Sequence, residues 1–314
     1  MGNALERVLI AVDGSEHSLE VALYAGAILR ASDAEIKLLH VFQKVPDAFW
    51  ELERHPDWAP KVRQVRGWEA EQREKALHFL ESVQLALVRE GFPDERVSLE
   101  LVNPADTVLA TLQTVAEEGW DAVVIGRRGV GAGEDAEGLG SVAGQVLEAL
   151  NGCALWLVGG NPDPHRVLIG LDASEAALTA VDHAARMLRA SDCFITLLHV
   201  VRGISIPRDV MKDSFPVEYR QRLLEEAENA MMPTFQAARA RMVDAGIAPE
   251  RLSSRLLTGV SSRAGAIVEE AHQWGFGTIV LGRRGLSRGD EHTVGRVGRQ
   301  ICQMVHNQAV WIVG

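Results

Sequence analysis

The chain has 314 residues, enough for two domains of about 150 that each bury a core of their own. Its formal net charge of −11 argues against nucleic acid or an anionic membrane as the main partner, because either calls for a basic face, whereas a small diffusible anion needs only local positive charge. Three widely spaced cysteines, Cys153, Cys193 and Cys302, make neither a disulfide framework nor a metal-type pair and read as reduced, buried thiols. The opening MGNALERV has no apolar signal segment, Glu6 stands where a myristoylation signal needs Ser or Thr, and no apolar run approaches membrane-spanning length; a soluble, cytoplasmic protein is expected.

The first predicted strand, Arg7 to Val12, is a continuous apolar run of the kind buried on both faces of a parallel sheet, and it stops at Asp13-Gly14-Ser15. Its counterpart, Arg166 to Leu171, stops at Asp172-Ala173-Ser174, an offset of 159. Each Asp sits at the carboxyl end of its strand, where open α/β sheets place ligands, and each Ser can cap the helix that follows. A turn or cap role for Asp13 and Asp172 and a ligand role weigh equally on the local pattern.

Helices patterned at 3.6 residues follow, Leu19 to Leu29 and Leu178 to Leu188, and then the closest internal match: ASDAEIKLLHV at 31–41 returns as ASDCFITLLHV at 190–200, eight of eleven positions identical at the same offset of 159. The chain is a tandem duplication. His40 and His199 lie inside these strand patterns with no nucleophile motif nearby, so they read as satisfied core histidines. The copies then diverge. Lys44 to Gly67, rich in Pro, Trp and charge, is expected to be a lid or contact loop, with Trp50 and Trp58 as loop anchors rather than ligand stackers. Long charged helices are predicted over Glu69 to Glu90 and Val217 to Ala245, each ending near a capping glycine, Gly91 or Gly246, with Pro233 a candidate kink.

After strands at Val97 to Val102 and Arg251 to Leu257 comes the stretch that organises the chain, Asp121 to Gly160, which returns at Thr278 to Gly314. In each, a β-branched strand ends abruptly in Gly-Arg-Arg-Gly and a Gly-rich stretch leads into a helix pattern. Glycines there let backbone approach a ligand, and the first free amides of the helix suit a phosphate. Such a loop can equally be the tight turn of an α/β crossover; two matching copies favour binding. The closing strands, Ala154 to Val158 and Ala309 to Val313, place Trp156 and Trp311 at equivalent positions. Each half thus reads as five strands alternating with helices, and right-handed crossovers give an α/β fold of two tandem domains, 1–160 and 161–314, each an open five-stranded parallel sheet with helices on both faces.

With the strand-end Asp, the LLHV strand, the Gly-Arg-Arg-Gly loop and the Gly-Ser helix start in hand, both halves resemble the universal stress protein family in its tandem form, over essentially the whole chain. The resemblance implies an adenine-nucleotide alpha-hydrolase-like sheet and an ATP site. Asp13 and Asp172 would then lie near the adenosine, the backbone at Val41 and Val200 would meet adenine, and the glycine loop would hold phosphates. In the first half that assigns Gly126, Arg127, Gly129, Gly140, Ser141 and Val142; in the second, with less support, Gly282, Gly285, Gly295 and Arg296. The family's nucleotide-binding pattern is Gly-x2-Gly-x9-Gly followed by Ser or Thr. The first half keeps the hydroxyl with ten residues between Gly129 and Gly140, and the second keeps nine between Gly285 and Gly295 and has Arg296 in place of the hydroxyl. The resemblance also implies that the closing strands pair between the halves, burying both tryptophans, with further association of two tandem chains open.

Other phosphate motifs fail. No Gly-x4-Gly-Lys-Ser/Thr loop is present, Asp13-Gly14-Ser15 is not an adenylation loop, and Gly131-x-Gly133-x-x-Ala136 has Trp156 where a ribose-binding acid should fall. The ten histidines show no metal spacing, so a divalent ion such as Mg²⁺ would enter with phosphates. The expected function is a regulatory stress-response protein that binds ATP without appreciable turnover and acts through protein partners. An interaction scaffold with decayed sites is the rival, and a nucleotide hydrolase the third. Motif chemistry favours the first half as the site. Charge favours the second, since Gly126 to Ser141 carries two arginines against Glu134, Asp135 and Glu137, while Gly282 to Arg296 carries Arg283, Arg284, Arg288 and Arg296 against Asp290 and Glu291. Geometry is expected to outweigh charge, giving the first half the site.

Overall fold

A computed structural model of the chain describes residues 5–42, 44–103, 107–129, 138–203, 217–285 and 294–314. The first half contributes β1 (Arg7–Val12), α1 (Glu16–Leu29), β2 (Glu35–Val41), α2 (Asp47–Trp50), α3 (Ala59–Arg89), β3 (Val97–Val102), α4 (Val108–Ala116), β4 (Ala122–Gly126), α5 (Ser141–Ala149) and β5 (Ala154–Val158). The second contributes β6 (Arg166–Leu171), α6 (Glu175–Leu188), β7 (Phe194–Arg202), α7 (Val217–Asp244), β8 (Leu252–Val260), α8 (Arg263–Gln273), β9 (Thr278–Gly282), α9 (Arg296–Met304) and β10 (Ala309–Val313).

All ten strands form one sheet in the order β3-β2-β1-β4-β5-β10-β9-β6-β7-β8. Each half is parallel throughout, and the strand order reverses between β1 and β4 and again between β6 and β9, the switch points at which open α/β sheets form crevices beyond the strand ends. Side chains alternate across the pleat: Val8, Ile10 and Val12 of β1 enter one apolar layer with α1, α3, α6 and α7, while Leu9 enters the opposite layer with α4, α5, α8 and α9. The continuous apolar strands of the sequence are the consequence, since both faces are covered.

The halves join where each would otherwise end. β5 and β10 pair antiparallel, with Trp156 opposite Trp311, and the two indoles stack with centroids 3.8 Å apart and planes 2° from parallel, both fully buried. Two exposed edges thereby become the centre of the sheet. The buried indole N–H groups are satisfied across the joint. Trp156 Nε1 donates to His183 of α6 (3.1 Å) and Trp311 Nε1 to Tyr24 of α1 (3.1 Å), residues that sit at equivalent positions in the duplication. Burial holds His183 far below an ordinary histidine, at about 3, with Arg186 acting the same way and Asp121 partly offsetting. Ion pairs ring the joint: Arg186 with Asp121 (2.7 Å), Arg189 with Glu6 (2.8 Å) and Arg299 with Glu148 (2.8 Å).

The stretch 44–67, expected as a lid or loop, is instead largely helical: α2, a 3-10 turn at Glu51–Arg54, and an α3 that starts ten residues before its expected start at Glu69. Pro60 in the first turn sets the start, and the early turns of α3 are polar on most sides, so no apolar stripe announces them in the sequence. Trp50 anchors this region, its ring 5.1 Å below the Arg66 guanidinium, which also pairs with Glu53 (2.9 Å). All three thiols are free and buried, and burial pushes Cys302 up to about 12 and Cys153 to about 11. Among the described residues no helix is long and apolar enough to cross a membrane.

Candidate functional site

Each half ends β1 or β6 in an Asp that folds back on its own turn. Asp172 Oδ1 accepts the Ser174 amide (3.0 Å) and the Ser174 hydroxyl, and that hydroxyl in turn accepts the Ala177 amide (3.2 Å) at the start of α6. Asp13 and Ser15 repeat this at α1, with Ser15 N–H to Asp13 Oδ1 at 3.0 Å. The turn and cap role raised by the sequence is thus real. The other oxygen, Oδ2, faces the glycine loop: a β-carbon on Gly129 would lie 2.9 Å from Asp13 Oδ2, and one on Gly285 would overlap Asp172 Oδ2. The second glycine of Gly-Arg-Arg-Gly is required by the strand-end Asp of its own half.

The loops close on themselves. Gly140 N–H donates to Arg127 O (3.0 Å) and Gly295 N–H to Arg283 O (2.8 Å), which sets the start of α5 and of α9 against the end of β4 and of β9. Helices α1, α4, α6 and α8 all begin with a Ser or Thr hydroxyl accepting an amide of the first turn, from Ser15, Thr107, Ser174 and Ser262. Helices α5 and α9 begin instead with Gly140 and Gly295 and have no side-chain cap. Their first-turn amides are the ones left for a ligand.

In the second half these parts surround a cavity of about 570 Å³ at the carboxyl ends of β6, β7 and β9. Asp172, Val200, Gly282, Gly285, Gly295 and Arg296 all line it, so the six residues the sequence ranked lower are brought together. The walls add His199, Arg202, Arg263 and Arg284. His199, expected to be a core residue, lies at the end of β7 with Nδ1 2.7 Å from Leu171 O and its ring on the cavity. Arg263, the first residue of α8, donates from Nε to Val200 O at 3.3 Å. The signal for it was present: Arg263 follows the capping Ser262, where the first half has Val108 after Thr107. A second hollow, of about 670 Å³, runs along the joint between α5 and α9, but its charged residues Glu148 and Arg299 already pair with each other.

In the first half, Asp13, Gly126, Gly129, Gly140 and Ser141 gather at the same sheet edge, with Val41 ending β2 beside them and Val142 exposed on the first turn of α5. His17 packs over Gly126 and its Nε2 lies 3.1 Å from Val158 O, where the second half has Ala176. Burial lowers the His40 pKa, with the Val12 carbonyl and Asp13 partly offsetting. One assignment is corrected. Arg127 does not face the phosphate cradle: its guanidinium, 2% exposed, crosses to the second half and donates to Cys302 O (3.1 Å) and Gln303 O (2.8 Å) at the end of α9. Burial, and then the neighbouring Arg128, lower its pKa. The residues of both loops at 130–137 and 286–293, including Gly131 to Ala136 and Arg288, lie outside the described residues.

Residues 4–152 and 164–313 match the Universal stress protein family. A curated protein described as the universal stress protein in the QAH/OAS sulfhydrylase 3′ region of Thermus aquaticus is 31% identical over 131 residues, 40% of this chain and 79% of that protein. Among solved structures, a universal stress protein from Archaeoglobus fulgidus matches over 99% of both chains with a TM-score of 0.61 at 19% identity. A protein from Pseudomonas aeruginosa matches over 99% of this chain and 93% of its own with a TM-score of 0.55 at 14% identity. At these identities the two structures speak to the fold.

Proposed function

Because the chain belongs to the universal stress protein family, as a tandem pair of its domains, we propose that this stress-response protein binds an adenine nucleotide, ATP, without appreciable turnover and passes its occupancy to protein partners in the cytoplasm. The observation that carries the reading is the second-half cavity, in which Asp172, the Gly285 and Gly295 backbone, the uncapped start of α9 and Arg284 and Arg296 meet at one sheet edge. Positive charge and free amides suit phosphates, and Asp172 Oδ2 suits a sugar hydroxyl. ATP as the nucleotide is the expectation that the family resemblance carries, and Mg²⁺ would arrive with the phosphates.

Slow turnover follows from what phosphoryl transfer requires, a placed metal and a group that orients the attacking water. Asp172 is the carboxylate among the described lining residues, and its Oδ1 is already held by Ser174. The test is mass spectrometry of protein purified without added nucleotide, followed by a turnover assay on the same sample. Retained nucleotide with turnover well below roughly 1 per second supports the reading. No retained or added nucleotide bound would leave an interaction scaffold, and turnover in the ordinary enzyme range would make it a hydrolase.

A further inference from the structure

The second-half cavity carries more positive charge than a phosphate chain at its glycine loop uses. Among the described residues, four arginines line it, Arg202, Arg263, Arg284 and Arg296, against one carboxylate, Asp172. Among the described residues none of the four is ion-paired, whereas arginines just outside the cavity are: Arg255 holds Glu270 at 2.7 Å and Arg299 holds Glu148 at 2.8 Å. The four also stand as two pairs. Arg284 and Arg296 flank the loop beyond β9, while Arg202 closes β7 and Arg263 is fastened to Val200 of β7. β6 lies between β9 and β7, so the pairs are anchored two strand spacings apart, roughly 10 Å, with Asp172 at the end of the middle strand. The two pairs are thus anchored on opposite sides of Asp172.

We propose that this cavity takes a nucleotide that is anionic at both ends, a nucleoside phosphorylated on each side of its ribose, with one phosphate on Arg284, Arg296 and the first amides of α9 and the other on Arg202 and Arg263. The proposal rests on the nucleotide reading above and narrows it. The Nε bond to Val200 O orients the Arg263 guanidinium and keeps its two Nη groups as the forked donor that phosphate accepts. The same bond occupies the Val200 carbonyl. The device belongs to the second half alone, since Gln43 and Val108 stand at the equivalent positions of the first.

The test is calorimetric titration of the whole chain, at fixed salt, with AMP, ADP and adenosine 3′,5′-bisphosphate. ADP extends the 5′ phosphate chain toward the loop and the bisphosphate adds a phosphate on the other side, so the comparison separates position from charge. The bisphosphate is expected to bind at least about tenfold tighter than AMP, the size of one added charge-assisted contact. Arg263→Met and Arg202→Met should each erase most of that gain while leaving the affinities for AMP and ADP within twofold. Arg296→Met should weaken all three ligands. A bisphosphate that binds no better than AMP, or a gain that survives the Arg202→Met, Arg263→Met double variant, overturns the proposal and leaves the nucleotide reading standing. Failure of all three ligands to bind overturns both. Arg202 and Arg263 are solvent-exposed, so an unchanged melting temperature certifies that each variant is folded.

Discussion

Arg127 and Arg283 cross the joint between the halves in opposite directions, each leaving the glycine loop of its own half to hold the last helix of the other. Arg127 donates to Cys302 O and Gln303 O at the end of α9, and Arg283 donates to Leu147 O (3.1 Å) and Leu150 O at the end of α5. Those are the helices whose uncapped starts face the two glycine loops. Each loop is therefore tied, through one nine-residue helix, to the cradle of the other half. A cation on terminal carbonyls also complements the negative end of each helix.

Arg283→Met is expected to lower stability by about 3 kcal/mol, because it removes two charge-assisted bonds and strands the carbonyls of Leu147 and Leu150 in a buried joint. Arg284→Met, one residue along but facing the cavity, should change it by less than about 0.5 kcal/mol. Urea unfolding of the two variants decides this, and equal losses would show that the joint does not depend on Arg283.

Trp311→Ala should cost about 3 to 5 kcal/mol, the range for deleting a large buried aromatic. A double-mutant cycle with Trp156→Ala should then find a coupling of about 1 kcal/mol, since the rings stack at 3.8 Å. A loss under 1 kcal/mol for the single variant would mean that β10 is not buried in solution.

Stability should fall as pH drops through the range set by His183. Its pKa in the fold is about 3 against about 6.5 unfolded, so the neutral ring that accepts the Trp156 N–H contributes fully above 6.5. Below that the unfolded chain takes up a proton that the fold refuses, and the contribution is lost toward pH 3 at about 1.4 kcal/mol per pH unit. Between pH 7 and pH 5 the protein should lose about 2 kcal/mol more than His183→Gln, which can still accept the indole N–H. Parallel pH slopes for the two would remove His183 from the account.

Gly285→Val should abolish nucleotide binding, since its side chain would collide with Asp172 Oδ2 at the edge of the cavity. Gly129→Val meets Asp13 Oδ2 in the same way in the first half and should leave the tight site intact. This reverses the preference drawn from the sequence, in which the motif geometry outweighed the charge. The Ser141 hydroxyl favoured the first half, but Arg284 and Arg296 beside the second glycine loop outweigh one neutral donor for a polyanion. Calorimetry showing that only Gly129→Val removes the site would return it to the first half.

Much of this protein was legible in local sequence because the forces that encode it are local. An unbroken apolar strand reports burial on both faces, Ser15 and Ser174 cap the helices they precede, and a duplication at a fixed offset announces two copies of one fold. Those signals yielded the parallel α/β halves and most of the residues that gather at the strand ends, and with the family resemblance the pairing of β5 with β10. They missed the early turns of α3, whose polar surface has no period to read. Gly-Arg-Arg-Gly shows the limit most plainly. In the second copy its two arginines are neighbours with the same chemistry, and Arg283 enters the buried joint while Arg284 lines the cavity. Which does which depends on where β5, β10 and the last helices lie once the halves have docked, and likewise Arg202 and Arg263 line the same cavity as Arg284 and Arg296 only because a single strand, β6, separates β7 from β9. Strand order and docking are set by the packing of the whole sheet, and no window of sequence contains them.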